Sequence, residues 1–148
     1  MQPDYFEDVE LGVEIELGRH VPSKEEIVSF ATQWDPQPFH IDEEAGRQSV
    51  MGGLSASSCH TYSISSLIYS KSDLKLHTAA MLGLTMRFPN PVRPEDELVL
   101  SRVFLEKRES KSQPAYGIVK SRTTMRNAGG DDVMVMDSNF LVDRRERS

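Results

Sequence analysis

Residues 80–142 hold four successive stretches with apolar side chains at every second position, and that pattern limits the fold more than any other feature of the chain. A two-residue period lays one face of a strand on a core. Ala80, Leu82, Leu84, Met86 and Phe88 alternate with Met81, Gly83, Thr85 and Arg87, so this strand is expected to carry one strongly apolar face. After the proline-rich connection PNPVRPED, the segments ELVLSRVFLEK and AYGIVKSRTTMRN read as the next two strands. NAGGD then supplies a hairpin turn into DVMVMDSNFLV, where Met134, Met136, Phe140 and Val142 share a side. One earlier strand is expected where Val13, Ile15 and Leu17 alternate with Glu14, Glu16 and Gly18.

Between the first strand and the other four lies helical sequence. Ser23 and Glu26 form an S-x-x-E capping box, so a helix should start near Ser23. Ile27, Phe30, Ala31 and Trp34 then share one face. Pro36 disfavours helical geometry at Asp35 and should end the helix there. Asp42 can cap a short second helix, EEAGRQS. Met51-Gly52-Gly53 reads as a turn, followed from Leu54 by about four turns of a central helix in which serines surround Leu54, Tyr62, Ile64, Leu67 and Ile68. Small side chains let a helix lie close against another surface. Helices grouped early and strands grouped late imply an α+β layer fold, with a curved antiparallel sheet wrapped around the central helix. Neither an internal repeat nor a linker is visible, so residues 1–148 are expected to form one domain, with 143–148 as a solvated, frayed tail.

Composition narrows the functional classes. A hydrophobic content of 38% and a charged content of 27% describe a globular chain. The net charge of −6 argues against nucleic acid as a partner, although a local basic patch could still serve an anionic ligand. Cys59 is the one cysteine, so an internal disulfide cannot form; it reads as a small buried hydrophobe. The acidic start MQPDYFEDVELG does not look like a secretory signal, and no run approaches the ~20 apolar residues of a bilayer span. A soluble, cytoplasmic protein is the expectation.

The chemistry concentrates in WDPQPFHID, residues 34–42. Pro36 and Pro38 restrict the backbone between Asp35 and His40, so one carboxyl and one imidazole are held on a stiff segment. Rigidity of this kind suits an acid/base pair working near neutral pH. The order D-x-x-P-x-H-x-D, short helix, glycine turn and central helix resembles the MaoC-like dehydratases, which include the R-specific enoyl-CoA hydratases and have the hot-dog fold. Phe6-Glu7-Asp8-Val9 with Gly12, and Arg87-Phe88 leading into Pro91-Val92-Arg93-Pro94-Glu95-Asp96, extend the likeness over almost the whole chain.

The resemblance implies that Asp35 and His40 hold a water that adds reversibly across a 2-enoyl thioester to give a 3-hydroxyacyl product. It implies that Gly52 presents a backbone N–H to the thioester oxygen, that Gly53 allows close approach of substrate, and that His60 supports Asp35 from the central helix. The substrate would be an acyl-CoA or acyl-carrier thioester, with coenzyme A arriving as part of it and no separate cofactor or metal. A hot-dog sheet leaves an edge strand to be paired, so a homodimer or higher homo-oligomer is expected, and the family's dimers imply an acyl channel at the subunit interface. Three positions depart from the family's pattern: Gln37 where asparagine is frequent, Met51-Gly52 where His-Gly is frequent, and His60 where a supporting serine is frequent.

Other readings compete with each residue. Asp35 could simply end a helix, His40 could bond a backbone carbonyl, and Asp42 reads as a cap. His60 is as well explained by packing. A metal site from His40, Asp42 and His60 lacks a further ligand at diagnostic spacing. A hot-dog thioesterase would need a carboxylate on the central helix, yet Gly52 to Lys71 contains no Asp or Glu. A non-catalytic thioester-binding scaffold is the remaining alternative, suggested by Gln37 and Met51.

Overall fold

The structure, a computed structural model, describes residues 4–146. Five strands form one antiparallel sheet in the order β1-β3-β4-β5-β2, where β1 is Ile15–His20, β2 Thr78–Arg87, β3 Leu98–Glu109, β4 Tyr116–Arg126 and β5 Asp132–Asp143. Three helices, α1 (Lys24–Trp34), α2 (Pro38–Ile41) and α3 (Glu43–Gln48), precede the central helix α4 (Ser58–Lys71). The main core forms where Ile64 and Ile68 of α4 meet Leu98, Leu100, Met125 and Met134 of the sheet. This is the α+β architecture expected from the early helices and late strands.

The local signals act largely as their chemistry dictates. Ser23 Oγ accepts the Glu26 N–H at 3.0 Å, and Asp42 Oδ2 accepts the Ala45 N–H at 2.8 Å. The return half of the capping box at Ser23 is not made, because the Glu26 carboxylate bonds His20 and His60 instead. In the 127–131 hairpin turn, Asn127 exchanges bonds with Asp131, and Gly130 takes a φ of +85°.

Five expectations need correction. Trp34 is 67% exposed, whereas Ile27 and Ala31 of the same helix are fully buried. Trp34 is the last residue of α1, and its ring lies outside the buried stripe that Ile27 and Ala31 form. Second, α4 begins at Ser58 rather than Leu54, and residues 54–57 run as buried extended chain. Their backbone bonds go sideways instead, with Ser55 N–H donating to Phe39 O and Ala56 N–H to Val92 O. Third, register shifts between Thr78 and Ala80 and between Met81 and Gly83 break the single face of β2. Leu84 and Met86 pack on the core, while Leu82 is 54% exposed. Fourth, Cys59 is exposed, because the first turn of α4 reaches solvent on that side. Fifth, residues 143–145 are anchored rather than frayed. Arg144 N–H donates to Ala115 O, and its guanidinium pairs with Glu7 and Glu109. The last two residues of the expected tail lie outside the described ones.

One close approach fixes the site's foundation. A side chain at Gly46 of α3 would sit 2.6 Å from the backbone of Gly53 and Leu54, so only glycine lets α3 rest on that segment. Gly46→Ala is therefore expected to cost ~1–3 kcal/mol, the range for overpacking a filled space. Denaturant unfolding measures it, and an unchanged midpoint would contradict this packing.

Candidate active site

Asp35 closes α1, its N–H donating to Ala31 O at 2.8 Å. Gln37 N–H then folds back onto Asp35 O at 2.8 Å around Pro36, and Pro38 opens α2. Proline at a first helical position suits both its fixed φ and its missing donor. What the two prolines suggested as a stiff segment is thus a tight turn followed by one helical turn, and His40 lies in that helical turn.

His40 is buried, at 4% exposure. Its Nδ1 lies 2.7 Å from Ser55 O. A carbonyl can only accept, so Nδ1 carries the proton and the lone pair of the neutral ring belongs to Nε2. Ser55 N–H bonds back to Phe39 O at 3.2 Å, which locks α2 and the 54–57 segment together. The Phe39 ring meets the imidazole edge-on with centroids 4.4 Å apart. His40 Nε2 stands 3.7 Å from Asp35 Oδ2. That is too long for a direct hydrogen bond but short enough for one oxygen atom to contact both at ~2.8 Å.

Two neutral donors hold the carboxylate. Gln37 Nε2 donates to Asp35 Oδ1 at 2.9 Å, and Ser57 Oγ donates to Oδ2 at 2.7 Å. These bonds, that of Gln37 foremost and then that of Ser57, hold the Asp35 carboxyl below the usual carboxylate range, against the opposing effect of burial. The stability this adds is fully present above the ordinary carboxylate pKa and is lost as pH falls through the lowered folded value. Gln37→Leu combined with Ser57→Ala should bring the Asp35 titration up towards the ordinary range. Carboxyl-carbon NMR reads that shift, and an unmoved midpoint would contradict the role of the two donors.

Ser57 is also the N-cap of α4, its Oγ accepting the Cys59 N–H at 3.2 Å. One hydroxyl therefore ties Asp35 to the start of the central helix. Ser58, Thr61 and His40 line a cavity of about 330 Å³ walled on the far side by Phe88, Pro89 and Asn90. Asp35 borders His40 rather than the cavity itself.

Three sequence-level assignments are displaced. His60 does not reach Asp35; its Nε2 bonds Glu26 Oε2 at 2.9 Å and its ring stacks on Phe30 at 4.5 Å. Burial lowers its proton affinity. His60 lies on the turn after Ser57, pointing towards α1, and Ser57 takes the supporting place instead. Gly52 is not at a helix start; its N–H donates to Ser49 O at 3.1 Å, and α4 begins six residues later. Its φ of +70° serves the turn. Gly53 makes room for Arg93, since a Cβ there would meet the guanidinium at 2.9 Å. Arg93 donates to the carbonyls of Met51 and Leu54 and clamps this turn beneath the cavity. Ser57, Ser58 and Arg93 are the residues that sequence reasoning missed. Ser57 has the N-cap residue type, and Arg93 sits in the quoted PVRP segment, so both carried a usable signal.

Comparison with known proteins places this geometry. A family model described as MaoC like domain matches residues 7–126. The chain belongs to the MaoC-like domain family. A MaoC-like dehydratase from Rhodospirillum rubrum is similar at 36% identity, with 96% of this chain and 98% of that chain covered and a TM-score of 0.89. The R-hydratase PhaJ1 from Pseudomonas aeruginosa shares the fold at 20% identity and a TM-score of 0.75, over 95% of this chain and 86% of that one. The Bacillus subtilis protein YdeM, itself uncharacterised, is 32% identical over 95 residues, 62% of this chain and 66% of its own length. The curved sheet and central helix of this MaoC-like domain are those of the hot-dog fold. Among the described residues no helix is long and apolar enough to cross a membrane.

Proposed function

We propose that this MaoC-like domain is a hydro-lyase that adds water reversibly to a 2-enoyl thioester, carried by coenzyme A or a carrier protein, to give a 3-hydroxyacyl thioester. The observation that carries this reading is the 3.7 Å gap between His40 Nε2 and Asp35 Oδ2, with the imidazole proton committed to Ser55 O. A water in that gap meets one lone pair and one carboxylate.

In the addition direction the water oxygen bonds to carbon 3 and its proton passes to the pair. The carbon–carbon π electrons move onto the thioester as an enolate, and carbon 2 then takes a proton from the pair. Atoms balance with no electron gained or lost, so coenzyme A is needed only as part of the substrate. Two donors already hold Asp35 as a carboxylate, which favours the imidazole as the proton carrier and Asp35 as the group that orients water. The two still act as one coupled unit. The enolate oxygen needs a donor, and the first amides of a helix lack intrahelical acceptors. Ser58, the first residue of α4 and a cavity-lining residue, supplies that amide in place of Gly52.

The same reading takes the working form as a homodimer. Edge strand β2 exposes Met81 at 42% and Leu82 at 54%, and it runs directly into Phe88, which lines the cavity. An unpaired apolar edge is removed when a second copy pairs with it. Leu82→Glu is expected to shift the protein towards monomer in sedimentation, and an unaltered mass would reject this edge as the interface.

Hydration is tested by following loss of the conjugated double bond of short, branched and long 2-enoyl-CoA substrates together with free thiol. Loss of conjugation without thiol supports the hydratase. Thiol release would support a thioesterase, although α4 presents no acid side chain. Binding with neither would support a scaffold.

A further inference from the structure

The inner face of the sheet changes character along β3. Leu98 and Leu100 are packed in the core, but the next inward residue is Arg102, only 6% exposed. Arg102 Nη1 donates to Leu74 O at 3.2 Å, and its guanidinium lies 4.0 Å over the Phe104 ring. Its Nε has no hydrogen-bond partner, and no carboxylate among the described residues forms an ion pair with it. Burial opposes its charge, with only longer-range attraction from Tyr69 and Asp4 on the other side. A buried cation left this way is costly unless something completes it.

The surroundings say what would complete it. Arg102 lines a cavity of about 200 Å³ between α4 and the sheet, where its register partner Thr123 and the neighbouring Ser121 replace the apolar residues of the core rows. Ser138, the register partner of Ser121 just behind the cavity lining, has a buried hydroxyl without a partner. The sheet side of the wall is otherwise apolar, from Leu100, Phe104, Met136 and Phe140, and α4 adds the hydroxyls of Ser65 and Tyr69. A ligand that fits has an apolar stem and an anionic end.

The cavity also lies in line with the candidate active site. Ser58 and Thr61 face the first cavity, and Ser65 and Tyr69 face the second. Spacings of three and four residues put all four on one stripe of α4. Ser65 lies ~10 Å along the helix from Ser58 at 1.5 Å per residue. We propose that the cavity holding Arg102 binds the far end of the acyl chain, and that Arg102 there pairs with a carboxylate, so that the enzyme takes thioesters of dicarboxylic acids. The proposal rests on the thioester-hydratase reading for the identity of the stem. The carboxylate preference rests on Arg102 itself.

The test is calorimetric titration of the full-length protein with saturated acyl-CoA esters, which bind without reacting. Each plain acyl-CoA is compared with its ω-carboxy counterpart over four to eight carbons, and with the free dicarboxylic acid. At one or more lengths the ω-carboxy ester should bind at least about tenfold more tightly than the plain one, the scale of a charge-assisted hydrogen bond. Arg102→Met should abolish that preference. In the unaltered protein, the Arg102 Nε–H NMR signal should move with the ω-carboxy ester and not with the plain ester, which keeps the test available if the variant does not fold. No preference at any length overturns the proposal, as does a preference that survives Arg102→Met. Equal binding of the free dicarboxylic acid also overturns it, since the anion would then be a separate ligand. Titration reads binding alone. A failure to hydrate any enoyl-CoA, plain or carboxylated, would instead reject the hydratase reading and leave the titration result standing.

Discussion

His40→Asn is expected to lower hydration of a 2-enoyl thioester by at least ~10²-fold, the usual contribution of a positioned acid/base group, while the protein stays folded. The two effects separate because the two ring nitrogens do different work. Nδ1–H holds Ser55 O at 2.7 Å, and an asparagine amide can still donate to that carbonyl. Nε2 faces Asp35 at 3.7 Å, and asparagine offers nothing basic in its place. His40→Ala should lose activity similarly but also stability, since it leaves a buried carbonyl unpaired. Comparing the two variants by steady-state rate and thermal midpoint separates chemistry from scaffolding. Full activity in His40→Asn would remove His40 from the mechanism.

Ser58→Pro is expected to cost 10²–10³-fold in kcat, the loss measured when one oxyanion donor is removed elsewhere. Ser58 is the first residue of α4, where proline is accepted because the deleted N–H has no intrahelical partner. Ser57, the residue before it, has a ψ of 145°, within the range that a following proline requires. The substitution should therefore delete one backbone donor and little else. The thermal midpoint should stay close to that of the parent, and Ser58→Ala, which keeps the N–H, should retain most activity. Equal losses in the alanine and proline variants would point to the hydroxyl rather than the amide.

Much of this arrangement could be read directly from residue order. Alternating apolar residues after position 80 foretold an antiparallel sheet, and Ser23 and Asp42 marked two helix starts by their side chains. The closeness of Asp35 and His40 was legible because two prolines leave the intervening backbone few conformations. The start of α4 was not. Gly52-Gly53 looks like a turn feeding a helix, but residues 54–57 find their hydrogen bonds in Phe39 and Val92, which are distant in sequence. That lateral bonding delays α4 to Ser58, and no local propensity reveals it. The role given to His60 failed for a related reason. Glu26 serves both His20 and His60, a long-range commitment that a capping-box signature hides. Bulges in β2 likewise turn Leu82 outward, because one extra residue reverses a two-residue period.

The most direct measurement of the central claim is a crystal structure of the protein with a bound 3-hydroxyacyl thioester. The account predicts the 3-hydroxyl oxygen within ~3 Å of both His40 Nε2 and Asp35 Oδ2, with the thioester oxygen at a similar distance from the Ser58 N–H. A hydroxyl placed away from that pair, or a thioester oxygen bound anywhere but the first turn of α4, would contradict it.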